Sequence, residues 1–139
     1  MNSMTLIMLV TVALLGLLML FILATTRRRS GNLNVEEYQT EWLKITNSTE
    51  NGRVETFELA IINADKLFDK AMRELGIPGA TMAERIKSAQ SRFSQPKHIW
   101  AAHALRNRIA HESDHRLKIT NARRALTIFK RALRELGAI

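Results

Sequence analysis

The first 26 residues contain no Asp, Glu, Lys or Arg. From Met4 to Thr26 the chain is almost wholly Leu, Met, Val, Ile, Ala and Thr, interrupted by Gly16 and Phe21. These 23 positions make a helix of roughly 34 Å, against a bilayer hydrocarbon core of about 30 Å. The run stops at Arg27-Arg28-Arg29. A cleaved signal peptide would place positive charge ahead of a shorter apolar stretch and end it at a small-residue site. Here no Lys or Arg precedes the run, and Ala24-Thr25-Thr26 matches such a site poorly. The pattern predicts an uncleaved single-pass anchor, residues 1–29 with their basic flank, that enters the inner (cytoplasmic) membrane through residues 4–26. The basic flank predicts an N-terminus outside and the remainder in the cytoplasm. Arg27, Arg28 and Arg29 are placed to meet anionic lipid headgroups. A lone helix without a buried charge reads as an anchor rather than a transport path.

After a linker at 30–34, marked by Ser30-Gly31-Asn32, the apolar positions recur with helical spacing to the end of the chain. Tyr38, Trp42 and Ile45 predict a helix over about 35–45. Phe57, Ile61, Ala64, Leu67, Phe68, Ala71 and Leu75 form the stripe of a longer one over about 53–75, closed by Gly76 with Pro78 beyond it. Thr81 and Glu84 have capping-box spacing and open a short helix to about Phe93, with Met82, Ile86 and Ala89 inward. Pro96 suits the first turn of a helix reaching about Glu112. A last helix, about Thr120 to Leu136, carries Ala122, Ala125, Leu126, Phe129, Leu133 and Leu136. Period-two strand patterns are missing. The expectation is an all-α protein: an N-terminal transmembrane helix followed by an antiparallel helical bundle over 35–139.

Charge adds a direction to this picture. The net charge of +8 is divided unevenly: residues 27–29 contribute +3, residues 30–76 carry five basic and nine acidic side chains, and residues 77–139 carry thirteen basic and four acidic ones. A basic C-terminal half points to nucleic acid or an anionic leaflet as partner, or to a solvated Lys/Arg-rich face. The absence of cysteine excludes a disulfide framework, a thiolate metal site and a thiol nucleophile. There is no glycine-rich phosphate loop.

The stretch that concentrates chemistry is Arg106-Asn107-Arg108-Ile109-Ala110-His111. Arginine binds phosphate through a planar fork of donors that stays charged, and histidine exchanges a proton near neutrality. His103, Asn107 and His111 are four apart and share one helix face, with Arg106 beside it. Arg108, Arg123, Arg124, Lys130 and Arg131 are candidate nucleic-acid contacts. His111 and His115 have a spacing that a metal could use, but a helix break intervenes and no paired motif is present, so neither a metal nor another cofactor is expected. Asp65 and Asp69 alternate with Lys66 and Lys70 and read as a solvated face, with a reach from Asp65 to Arg106 or His111 as the other option. Trp42 and Trp100 read as core or dimer-interface residues.

The stretch from Leu105 to Glu112 resembles the signature of HEPN domains, small all-α domains in which an arginine, usually followed by a polar residue, precedes a histidine by four to six intervening positions. Four separate Arg106 from His111, and Asn107 is the polar residue. The resemblance extends over about 35–139. It implies a metal-independent endoribonuclease acting as a homodimer with the motifs facing a shared cleft. Arg106 would then orient the scissile phosphate, His111 would serve as general acid or base, and Asn107 would position one of them. HEPN-like domains also include inactive binding modules, so the leading function, RNA binding with cleavage, stands against a non-catalytic, membrane-tethered dimerisation and interaction module, with a subunit of a larger membrane complex, its residues 1–26 packed against other helices, as a third option.

Overall fold

In the computed structural model, residues 2–26, 33–112 and 116–139 are described. The arginine cluster 27–29, the linker residues 30–32 and the segment 113–115, with the expected helix break and His115, lie outside them. The described residues are helical without a strand, in the order α1 (Ser3–Thr26), α2 (Val35–Asn47), α3 (Val54–Glu74), α4 (Met82–Ala89) with a 3-10 turn (Gln90–Arg92), α5 (Pro96–His111) and α6 (Ile119–Glu135). They divide into two compact units, Met1–Ser30 and Gly31–Ile139.

The first unit is α1. Its stretch Ser3–Phe21 is long and apolar enough to cross a membrane. The hydroxyls of Thr5 and Thr11 donate to the carbonyls of Asn2 and Ile7, so these polar groups are satisfied within the helix, as a lipid environment demands.

In the second unit α3 is the central element, packed on α6, α2, α5 and α4. Its stripe of Phe57, Ala60, Ile61, Ala64, Phe68, Ala71 and Met72 is buried, because residues three and four apart share one face. Phe68 meets Phe93 edge-on, with ring centroids 5.6 Å apart, and Phe129 of α6 at 6.1 Å. The whole predicted stripe of α6 is buried, as are Tyr38, Trp42 and Ile45 of α2.

The boundaries have visible causes. Asn34 and Thr81 cap α2 and α4 by accepting from the amides of Glu37 and Glu84. Glu84 reaches back to the amide of Ala80 at 2.6 Å, one residue earlier than the reciprocal contact of a capping box. Both α3 and α6 end in a left-handed glycine, Gly76 (φ 67°) and Gly137 (φ 74°). In each, the second residue beyond the cap donates back over the last turn, Ile77 to Met72 and Ala138 to Leu133, the pairing of a Schellman stop.

Polar contacts dock the peripheral helices onto α3. Buried Arg85 of α4 grips Asp69 through Nε (2.8 Å) and Nη2 (3.1 Å), while its Nη1 donates to the carbonyl of Gly79 at 2.7 Å. A Cβ on Gly79 would sit 2.6 Å from the backbone nitrogen of Arg85, at a φ of +151°. Gly79→Ala must therefore displace backbone, with an expected loss of about 2 kcal/mol in urea unfolding followed by tryptophan fluorescence.

On the other side of α3, the Tyr38 hydroxyl donates to Glu74 at 2.9 Å, and Lys70 pairs with Glu37. Burial first, then the hydrogen bond and charge of Glu74, raise the Tyr38 phenol far above its ordinary 10.0. The hydrogen bond to Glu37 raises Lys70. In the unfolded chain both groups lose their protons near their ordinary values, while the folded domain still holds them. The unfolded state then binds fewer protons, so stability falls as pH rises from about 10. The expected result is a denaturation midpoint that declines above that pH, and declines less steeply in Tyr38→Phe.

Candidate phosphate-binding site

The expected site sits on α5, and its residues part company there. His103, placed on the polar stripe by its spacing, is buried. Its Nδ1 lies 2.8 Å from Asp65 Oδ1. Its Nε2 lies 3.3 Å from Asn107 Nδ2. Asn107 Oδ1 in turn accepts from Arg106 Nη1 at 3.1 Å. Arg106 Nε is 3.1 Å from Asp65 Oδ2, close enough for an ion pair although its N–H points off the hydrogen-bond direction.

The four side chains thus close a ring, Asp65 to His103 to Asn107 to Arg106 and back to Asp65. The ring dictates its own proton positions. A carboxylate only accepts, so His103 Nδ1 carries the hydrogen. Arg106 only donates, so Asn107 turns its oxygen to the guanidinium and its amide nitrogen to His103 Nε2, which accepts. The imidazole is clamped at both nitrogens by neighbours within the fold.

Asp65 is 2% exposed, which overturns its reading as part of a solvated face. Of the two options it takes the reach to Arg106. Asp69 is likewise engaged, by Arg85 and by Arg73 at 3.4 Å. The signal was present in the sequence: Ile61, Asp65, Phe68 and Met72 follow one another at spacings of four, three and four, which puts Asp65 inside the apolar stripe. A carboxylate there needs partners.

The ring borders an open cleft of about 150 Å³ to which Asp65, Asp69, His103 and Arg106 contribute. The Arg106 side chain keeps a quarter of its surface exposed and lines this cleft, while Asp65 and Asn107 hold its orientation. His111, one turn beyond Asn107, is exposed, and among the described residues its ring forms no hydrogen bond or ion pair. Trp100 is also partly exposed and meets the His103 ring edge-on at 6.5 Å.

The five candidate nucleic-acid contacts have different surroundings. Arg108 and Arg124 line a groove of about 240 Å³ between α5 and α6. Arg123 lies over the Phe57 ring, 5.6 Å from its centroid, a cation–π contact. Arg131 donates to Gln95. Lys130 is half-buried. Among the described residues no group of three or more His, Asp or Glu side chains is placed to hold a metal ion. A cavity of about 640 Å³ between α2 and α3 is lined by Glu37, Lys44 and Leu59 among others and includes none of the motif residues.

The described residues define an all-helical domain and an N-terminal apolar helix, with a clamped arginine and an exposed histidine on one helix. The chain matches no family model, no curated protein and no solved structure.

Proposed function

We propose that residues 35–139 form a HEPN-like, antiparallel helical domain tethered to the cytoplasmic face of the inner membrane by α1, with its N-terminus outside, and that it binds RNA as a homodimer and cleaves it without a metal. The observation that supports this most is an arginine fixed from behind and, five residues further along α5, an exposed histidine whose ring has no hydrogen bond or ion pair among the described residues. A fixed guanidinium loses little freedom when it takes a phosphate. A free imidazole is available as general acid or base toward a ribose 2′-hydroxyl or the leaving oxygen. In this reading Arg106 orients the phosphate, Asn107 and Asp65 position Arg106, and His111 transfers the proton. Anchoring confines the activity to RNA near the membrane, where Arg27, Arg28 and Arg29 contact anionic headgroups.

The second reading, a tethered interaction module without catalysis, is favoured by the closure of the ring. Asp65 neutralises Arg106, and each of the four side chains already has partners within the fold. The two readings separate on RNA binding. Full-length protein in zwitterionic nanodiscs would be titrated into labelled single-stranded RNA and followed by fluorescence anisotropy. The proposal expects saturable binding, weakened about tenfold or more in Arg106→Lys, which keeps the charge but loses the fork. Folded protein that leaves RNA unbound would support the interaction module.

A further inference from the structure

The two sides of α5 differ in charge in a way the motif does not explain. Toward α3 its neighbours include Asp65 and Asp69. Within the two helices on the other side negative charge is sparse: α5 contains no acidic residue, with Glu112 just beyond its end, and α6 contains one, Glu135, at its last position. Glu135 accepts from the amide and hydroxyl of Ser94. The groove between these helices has a floor of Ala102, Leu105, Ala125 and Ile128, while Arg108 and Arg124 contribute its charge. Both arginines are exposed, and no acidic residue lines the groove. Among the described residues neither has an ion-pair partner, whereas Arg53, Arg73, Arg85 and Arg106 each have one. His98 and Asn121 bring neutral hydrogen-bonding groups to the same groove. Past His98 and Ile128 lies a smaller depression lined by Gln95, Arg131 and Glu135 among others.

We propose that this α5–α6 groove is a second phosphate-binding surface, the track along which a single RNA strand runs, with Arg108 and Arg124 each holding a backbone phosphate. Unpaired guanidinium groups over a concave surface gain from the release of counterions when they meet a polyanion. Asn121 and His98 carry the donor and acceptor groups that ribose hydroxyls and base edges require. A concave, polar-rimmed groove admits a strand, whereas a bilayer surface is met by protruding side chains. Arg108 and His111 are three residues apart on α5 and so are surface neighbours. A strand held at Arg108 therefore passes beside His111, which makes the groove the approach to the site proposed above. The inference rests on that RNA-binding reading.

The test measures RNA affinity of the full-length protein in zwitterionic nanodiscs over a range of salt concentrations, for the parent, for Arg108→Gln/Arg124→Gln, and for Arg134→Gln on another face of α6. These exposed positions leave the core untouched. The double variant is expected to bind at least tenfold more weakly. Its slope of log affinity against log salt should be shallower by about 1.4, from two phosphates at about 0.7 each, while Arg134→Gln stays near the parent. RNA binding by the double variant with the parent's slope would overturn the groove and leave the RNA-binding reading standing. Parent protein that binds no RNA would overturn both. Binding to anionic vesicles that the double variant loses, with its RNA slope unchanged, would reassign the groove to lipid headgroups and overturn the proposal.

Discussion

Asp65→Ala is expected to destabilise the domain by about 3 kcal/mol, more than its single lost side chain suggests. Removing one member of a buried ion pair strands the other, at a typical cost of about 3–5 kcal/mol. The lower end applies because Arg106 retains partial exposure and water recovers some of the loss. His103 also loses the acceptor of its Nδ1 hydrogen in a buried position. The loss should be conditional on Arg106. The double variant Asp65→Ala/Arg106→Met removes both charges together, and a pair replaced by apolar groups is often near neutral. It should therefore recover most of the stability, giving a strongly non-additive double-mutant cycle. Both tryptophans, Trp42 and Trp100, lie in the second unit, so their fluorescence in urea reports on this domain alone. Additive losses in the cycle would mean that the ring is not a unit.

Phe68→Ala should cost about 3–5 kcal/mol. Phe68 is fully buried, and its ring touches those of Phe93 and Phe129, which come from the segment after α4 and from α6. Truncation leaves a cavity where three segments of the domain meet, and the α3 backbone is held on several sides and cannot collapse into it. Leu59→Ala, on the same helix but more than half exposed, should change stability by less than about 0.5 kcal/mol. Equal effects at the two positions would contradict the burial pattern.

The helices were legible because each buries a stripe, and a stripe leaves a periodic trace. Phe57, Ile61 and Phe68, or Ala122, Phe129 and Leu133, can be placed inward from spacing alone, and Gly76 and Gly137 end their helices as left-handed glycines commonly do. The site was legible in position but not in connection. Arg106 and Asn107 stand out as a motif, yet spacing along α5 cannot show that a carboxylate 41 positions earlier than Arg106 closes a ring with them. That ring is a tertiary contact between α3 and α5. It was obscured because Asp65 sits beside Lys66, and local alternation of charge resembles a solvated face. The basic residues of α6 show the converse. Arg123 and Arg124 are adjacent in the chain and point about 100° apart on a helix, so one covers Phe57 while the other faces α5.

In the proposed reaction His111, which lies outside the ring, transfers a proton in RNA cleavage. The most direct measurement incubates full-length protein in nanodiscs with end-labelled single-stranded RNA in excess EDTA, beside His111→Ala. Since His111 is exposed and makes no contact in the fold that the described residues show, the variant should unfold at the parent's urea midpoint. The expected result is cleavage by the parent that leaves cyclic-phosphate ends and falls by about 100-fold or more in His111→Ala. RNA left intact by the folded parent, or cut as fast by the variant, would contradict the claim.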